Sequence, residues 1–122
     1  MSTWTPAELD LVDTTEEARV AGLREDGSLR TAITIWAVRV DDTVYIRSVL
    51  GAGAGWYRGT QLRGLGHLEA GALAKDVSFT RDPTKDARVD EAYWTKYGRG
   101  PDVIAINSEL ATSTTLRVDP LG

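Results

Sequence analysis

Residues 35–48 read IWAVRVDDTVYIRS, and this stretch decides the fold. The run from residue 29 to residue 40 is rich in β-branched side chains, and from Ile35 onward both of its faces are apolar. Such a run predicts a strand that is buried on both sides or closed within a barrel. Asp41, Asp42 and Thr43 make a tight connection, so we expect a strand beginning at Val44 to pair with it antiparallel.

The two adjacent acids of this connection permit two interpretations. Neighbouring carboxylates can serve as a general acid and a general base. A solvated turn is favoured for Asp41 and Asp42, because Asp is a preferred turn residue and no apolar surroundings are evident that would shift its pKa. We therefore expect no catalysis from this pair.

The next segment, residues 44–58, reads VYIRSVLGAGAGWYR. It predicts a strand ending in Arg47 and Ser48, a loop with three glycines within five positions, and a helix opening with two aromatic residues and a cation. Basic and hydroxyl side chains beside exposed backbone N–H groups are typical of a pocket for an anion such as phosphate. The alternative is that the glycines only let the backbone turn between strand and helix.

Composition narrows the possible functions. The chain has 122 residues, which predicts a single domain over residues 1–122. There is no cysteine and only one histidine, so thiolate chemistry and disulfides are excluded and no metal centre is expected. The formal net charge of −4 argues against general affinity for nucleic acid. The sequence has neither the order of a signal peptide nor an apolar run that spans a membrane, so we expect a soluble, cytoplasmic protein.

The rest of the chain predicts short hairpins and a few helices. A capping box at Thr5 and Glu8 starts a helix over residues 6–13. An Asp-Gly pair marks a hairpin turn after a strand over residues 18–24. The other predicted elements are helices over residues 56–63 and 85–97 and strands over residues 67–71, 73–80 and 112–119, while residues 102–109 are ambiguous. About six strands with short connections favour a mainly β fold, a small antiparallel barrel with peripheral helices.

Chemistry-bearing residues outside the glycine-rich segment are few. His67 is interpreted as a structural or surface residue, because no orienting partner is visible in the sequence. Tyr93, Trp94 and Tyr97 follow a helical spacing, so they either pack in the core or line a ligand pocket. The sequence has no Gly-x-Ser-x-Gly elbow and no Gly-Lys-Ser or Gly-Lys-Thr phosphate loop, which disfavours a serine hydrolase and a P-loop nucleotide enzyme.

The order of these motifs resembles a known superfamily. A hairpin containing IWAVRVDDTVYIRS, a Gly/Ala loop and the Trp56-Tyr57 pair is similar to the flavin- and deazaflavin-binding split-barrel proteins related to pyridoxamine-phosphate oxidase. The likeness is closer to the deazaflavin-dependent nitroreductase group, and it extends over nearly the whole chain to a small family of single-domain bacterial split barrels of unknown function. This resemblance implies a six-stranded antiparallel split β-barrel, an FMN or deazaflavin cofactor, and a homodimer with the cofactor in the shared cleft.

The resemblance also implies particular cofactor contacts. In the deazaflavin group a strand ends in serine, a Gly-Gly turn follows, and a Trp-Tyr pair opens the helix that holds the cofactor's phosphate with that turn. In this chain the implied contacts are Ser48, Gly51, Gly53, Trp56, Tyr57 and Arg58, with Arg47 as a further one. The loop here is shorter and lacks its usual basic residue, and Gly59 and Thr60 replace an Asn-Leu pair.

Two functions follow as hypotheses. The first is an oxidoreductase that transfers hydride between a bound FMN or deazaflavin and a small organic substrate, which needs no catalytic cysteine or histidine. Trp36, Trp56 or Tyr57 would cover a face of the ring or close the pocket, and Tyr93 or Tyr97 would donate a proton or hydrogen bond to the substrate. The second is a cofactor-free small-molecule-binding or isomerase-type barrel that has lost the redox cofactor, which the shortened loop favours. A purely structural interaction subunit has no specific support.

Overall fold

The computed structural model describes residues 3–121. Its strands are β1 (Ala18–Gly22), β2 (Ile33–Ile35), β3 (Ala37–Val40), β4 (Thr43–Ile46), β5 (Leu65–Ala70), β6 (Leu73–Arg81) and β7 (Leu116–Pro120). Its helices are α1 (Pro6–Thr14), α2 (Gly55–Arg63), α3 (Asp86–Tyr97), α4 (Pro101–Ile106) and α5 (Glu109–Thr112), and a short 3₁₀ helix (Gly51–Gly53) precedes α2. None of the helices in the described residues is both long and apolar enough to cross a membrane.

The strands form one antiparallel sheet in the order β2-β1-β5-β6-β7-β4-β3. The two strands at the ends of this order, β2 and β3, are separated in the chain by a single residue, Trp36. Ends that lie this close make the sheet curl into a nearly closed barrel, which leaves little exposed edge. The predicted antiparallel barrel with peripheral helices is confirmed, with seven strands instead of six.

The extra strand arises at Trp36, where the predicted continuous strand over residues 29–40 is wrong. β2 pairs with β1, whereas β3 pairs with β4, so the chain changes neighbours at this residue. The carbonyl of Trp36 accepts a hydrogen bond from the Tyr93 hydroxyl at 2.7 Å, and that of Ala37 accepts one from Lys96 Nζ at 2.6 Å. Side chains of α3 therefore satisfy backbone groups at the corner of the barrel.

Local signals at the first helix and at the Asp41 turn are confirmed. Thr5 Oγ1 accepts from the Glu8 backbone N–H at 3.2 Å, and the Glu8 carboxylate accepts from the Thr5 N–H at 2.9 Å. β3 and β4 pair antiparallel across a turn in which Asp41 has φ 54°. Arg88 binds both carboxylate oxygens of Asp41, at 2.6 and 2.9 Å, so this acid anchors α3 to the turn.

Close backbone contacts fix α2 and β5 against β1. A Cβ on Gly66 would lie 2.0 Å from the Ala21 carbonyl oxygen, and a Cβ on Gly22 would lie 2.9 Å from the Gly59 carbonyl oxygen. Only residues without side chains allow this approach. The helix that follows the glycine-rich loop is thus held tightly on the barrel wall.

Two hydrophobic clusters stabilise the molecule. The larger fills the barrel beneath α1 and includes Leu9, Ile46, Leu68 and Leu116. The smaller lies between α3, α4 and the β3–β4 hairpin, and Tyr93 is fully buried within it. Of the ambiguous residues 102–109, residues 102–106 lie in α4 and Glu109 begins α5. The strand predicted over residues 112–119 begins at Leu116, four residues later than predicted.

Candidate functional site

An apolar cleft of about 390 Å³ lies where the residues after β4 meet β2 and α4. Much of its wall comes from aliphatic side chains and from the indoles of two tryptophans. Four of the residues predicted as cofactor contacts line it, namely Trp36, Arg47, Ser48 and Trp56. A cleft of this size and character is typical of a small-molecule site.

Trp36 is held rigidly at one side of the cleft. Its ring stacks on Tyr97 with centroids 4.0 Å apart and an interplanar angle of 5°. The Tyr97 hydroxyl donates to the Glu16 carbonyl at 2.6 Å, and the Trp36 carbonyl is bound by Tyr93. Because backbone and ring are both anchored, the indole is preorganised for contact with a planar ligand.

Arg47 is directed into the protein. Its side chain is 0% exposed and lies 2.5 Å from Asp90 Oδ1. It also donates to Asn107 Oδ1 at 2.9 Å and to Thr115 Oγ1 at 2.8 Å. Asp90 already balances its charge, so Arg47 joins β4 to α3 and to the segment before β7 instead of presenting a free cation to the cleft.

Ser48 and Gly51 shape the loop. The Ser48 hydroxyl donates to the Gly51 carbonyl at 2.8 Å, and the Ser48 N–H donates to Thr114 Oγ1 at 2.8 Å. Gly51 has φ 81°, and a Cβ there would lie 2.5 Å from a methyl carbon of Leu110. The fold itself therefore requires glycine at this position.

Gly53 and Gly55 differ from Gly51. Neither has a positive φ, and a Cβ on either would have no heavy atom within 4 Å. The fold does not require glycine here, and the approach to the first turn of α2 is left open. No side chain caps that turn, because the N-cap residue is Ala54. Its unpaired N–H groups and the helix dipole are suited to an anion.

The three residues that follow Gly55 in α2 have separate environments. Trp56 is half-buried and lines the cleft. Tyr57 is 7% exposed, packs edge-on against Trp56 with centroids 6.0 Å apart, and belongs to the barrel core, where burial raises its pKa. Arg58 is exposed, and it forms no ion pair with any residue in the range 3–121.

The two tyrosines predicted as proton donors lie behind Trp36. Tyr93 is 0% exposed, and burial raises its pKa well above the usual range for a phenol. Burial likewise raises the pKa of Tyr97. Both hydroxyls donate to backbone carbonyls. In this arrangement the phenols support the Trp36 corner, and neither lines the cleft.

Arg30 is a residue that sequence reasoning missed. Its Nε is buried without a hydrogen-bond partner, and it lies 3.2 Å from the position that a Cβ on Gly59 would occupy. Gly59 belongs to the same helix as Trp56, so this cation packs against α2. No local motif marks Arg30, because the chain brings it to α2 only after the β1–β2 connection folds over the helix.

His67 lies outside the cleft. Its Nδ1 is 3.0 Å from the exposed carboxylate of Asp76 on the neighbouring strand, in a separate groove of about 370 Å³. The structure thus supplies an orienting partner that the sequence did not reveal. Within residues 3–121, no cluster of three or more histidine, cysteine, aspartate or glutamate side chains is placed to hold a metal ion.

A family model described as "Uncharacterized protein conserved in bacteria (DUF2255)" matches residues 8–118. The chain belongs to this family. No curated protein matches this DUF2255 member. The assignment confirms the resemblance to a small bacterial family that the sequence motifs indicated.

Solved structures share the fold of this DUF2255 protein. A conserved hypothetical protein from Mycobacterium tuberculosis is 14% identical with a TM-score of 0.65, over 99% of this chain and 82% of that one. A proposed 5-nitroimidazole antibiotic resistance protein from Bacteroides thetaiotaomicron is 11% identical with a TM-score of 0.65, over 100% and 83%. An F420 reductase is 12% identical with a TM-score of 0.56, over 93% and 92%. The likeness confirms the predicted split barrel.

Proposed function

We propose that this protein is an oxidoreductase that binds a flavin or deazaflavin cofactor at the junction of the cleft and α2 and reduces a small organic substrate in the same cleft. The observation that carries this proposal is the arrangement of an indole-lined cleft beside an uncapped helix N-terminus and a cation with an unpaired buried nitrogen. An apolar wall for a ring and donors for a phosphate are the two features that such a cofactor needs.

The phosphate would be held at the start of α2. The first-turn N–H groups are uncapped, and the open space at Gly53 and Gly55 lets an anion approach the backbone. Positive charge comes from the exposed Arg58 in the first turn of α2 and from Arg30 of the β1–β2 connection, which packs against Gly59 of that helix. In this proposal these groups take the role of phosphate contact that the sequence suggested for Arg47, because the charge of Arg47 is balanced by Asp90 inside the protein.

The ring would be held by Trp56, and the cofactor when bound supplies the atom that gives or receives hydride. The protein contributes orientation and exclusion of water. Trp36, anchored by Tyr93 and Tyr97, keeps the substrate side of the cleft in a fixed shape. No cysteine or histidine is needed at this cleft for that role.

A homodimer is part of the proposal. Leu50 is 74% exposed, Ile104 is 59% exposed and Leu110 is 58% exposed, and these side chains lie on the glycine-rich loop and on α4 and α5 beside the cleft. A second copy that covers this apolar surface would enclose the cleft and remove the side chains from water. Sedimentation velocity of the purified protein tests this part directly.

A second candidate function is cofactor-free binding of a small molecule. Two observations favour it: Arg47 is fully engaged by protein groups, and the exposed charges on the cleft lining are the carboxylates of Glu17 and Asp102. Both features disfavour an anion in the body of the cleft, away from α2.

Titration with FMN and with a deazaflavin cofactor separates the two candidates. We expect binding, and we expect Arg30→Ala and Arg58→Ala each to weaken it at least about tenfold, because one charge-assisted hydrogen bond contributes about 1.5–3 kcal/mol. Arg19→Ala is the matched control, since Arg19 is exposed on β1 and does not line the cleft. Equal affinity of all three variants would refute the phosphate site, and no binding of either cofactor would leave the cofactor-free candidate.

A further inference from the structure

The charges around the cleft are unevenly distributed. Among the described residues that line it, the ionisable ones are Glu17, Arg47 and Asp102. Arg47 has no exposed surface and is paired with Asp90. Glu17 and Asp102 are exposed, and neither forms an ion pair with a residue in the range 3–121. The charge that the cleft presents to a ligand is therefore negative.

An aromatic face accompanies these two carboxylates. Tyr97 covers one face of the Trp36 indole at 4.0 Å, and Trp36 still lines the cleft. Trp36 packs against the cluster between α3 and the β3–β4 hairpin, whereas Trp56 packs against the barrel core. The two indoles thus approach the cleft from different parts of the protein, and Trp36 is the one that is independent of α2.

We propose that the part of the cleft formed by Glu17, Trp36 and Asp102 selects planar ring compounds that carry a positive charge. The use of such compounds as substrates rests on the oxidoreductase proposed above, but their preferential binding does not. A cation over an indole face is attracted by the negative charge of the π system, and tryptophan gives the strongest such contact. Two nearby carboxylates attract the same cation and repel an anionic ring.

Three ligands of nearly the same shape test this selectivity. N-methylquinolinium is positively charged, quinoline is neutral near neutral pH, and quinaldate is negatively charged. Isothermal titration of the cofactor-free protein with each compound gives three affinities for related rings. We expect N-methylquinolinium to bind about tenfold more tightly than quinoline, since about 1.4 kcal/mol of combined cation–π and carboxylate attraction gives that ratio. Quinaldate should bind most weakly.

Charge-removing variants locate the effect. Glu17→Gln and Asp102→Asn should each reduce the preference for N-methylquinolinium over quinoline by about twofold, which leaves about 2.5-fold for the cation–π contact, while quinoline affinity stays the same. Glu69→Gln is the matched control, because Glu69 is exposed on β5 and does not line the cleft. Thermal unfolding of every variant checks that the fold is retained. Trp36→Leu should lower the affinity for both rings.

Several outcomes would overturn the inference. They are equal binding of the cation and the neutral ring, tighter binding of quinaldate, no binding of any of the three, and a loss of preference in Glu69→Gln equal to that in Glu17→Gln. Because these titrations contain no cofactor, their failure leaves the cofactor proposal unaffected. Conversely, a protein that selects the cation and binds neither FMN nor deazaflavin would refute the oxidoreductase and retain this selectivity.

Discussion

The substitution Arg47→Ala should destabilise the fold strongly. Arg47 is fully buried and donates to Asp90, Asn107 and Thr115, which lie on α3, between α4 and α5, and before β7. Removing one partner of a buried ion pair costs about 3–5 kcal/mol, because the remaining carboxylate loses its partner. Asp90 keeps 38% of its side chain exposed, so water can reach it after the substitution. We therefore expect Arg47→Ala to lower the free energy of unfolding by the smaller of these values, about 3 kcal/mol.

Thermal and urea unfolding measure this loss without any ligand. At about 4 °C per kcal/mol for a domain of this size, the midpoint of thermal unfolding should fall by about 12 °C. Arg58→Ala is the control of the same residue type, and its exposed side chain predicts a change of less than about 2 °C. If Arg47→Ala shifted the midpoint no more than Arg58→Ala does, Arg47 would not be a structural cation, and its role as a ligand contact would be open again.

Two further predictions concern the backbone and pH. Gly66→Ala should lower the free energy of unfolding by about 3 kcal/mol or more, because the new Cβ would lie 2.0 Å from the Ala21 carbonyl oxygen. Gly53→Ala, where a Cβ has open space, should leave the stability unchanged. Similar midpoints of thermal unfolding for both variants would contradict the close contact between β1 and β5. Burial lowers the pKa of Lys96 to about 8, whereas an ordinary lysine has a pKa of about 10.4. Between these two pH values the unfolded chain binds more protons at this residue than the folded one does. The contribution of Lys96 to the free energy of unfolding therefore rises with pH over that range. The unfolding free energy of the parent minus that of Lys96→Met, from urea unfolding, should therefore increase between about pH 8 and pH 10, and a constant difference would contradict this origin of the effect.

The sequence predicts elements whose causes are local. The capping box at Thr5 and Glu8 and the turn at Asp41 act within a few residues, and both are found as expected. The break at Trp36 was missed because its cause lies in Tyr93 and Lys96, about sixty residues away, which bind carbonyls at the corner. The residue at which a strand breaks can depend on distant side chains, and the local pattern of strand residues carries no information about them.

In the candidate site, too, the sequence indicated the features with local causes and missed those that depend on distant residues. The Gly/Ala loop and the Trp-Tyr pair identified the region where the cleft lies, because loops at strand ends expose backbone groups. The direction of Arg47 depends on acceptors on α3 and before β7, so its position at a strand end gave no indication of its burial. The three glycines look equivalent in sequence, yet Gly51 alone has a positive φ, because it turns beneath Leu110.

The place of β7 in the sheet has a consequence for synthesis of the chain on the ribosome. β7 lies between β6 and β4, so until it arrives the sheet consists of two halves, β2-β1-β5-β6 and β4-β3. Its pairs with β4 join residues at least seventy positions apart, such as Val44 and Val118. Contacts of such long range form slowly. The nascent chain therefore carries unpaired edges on β6 and β4 until β7 emerges, and unpaired edges of this kind favour wrong pairing between chains.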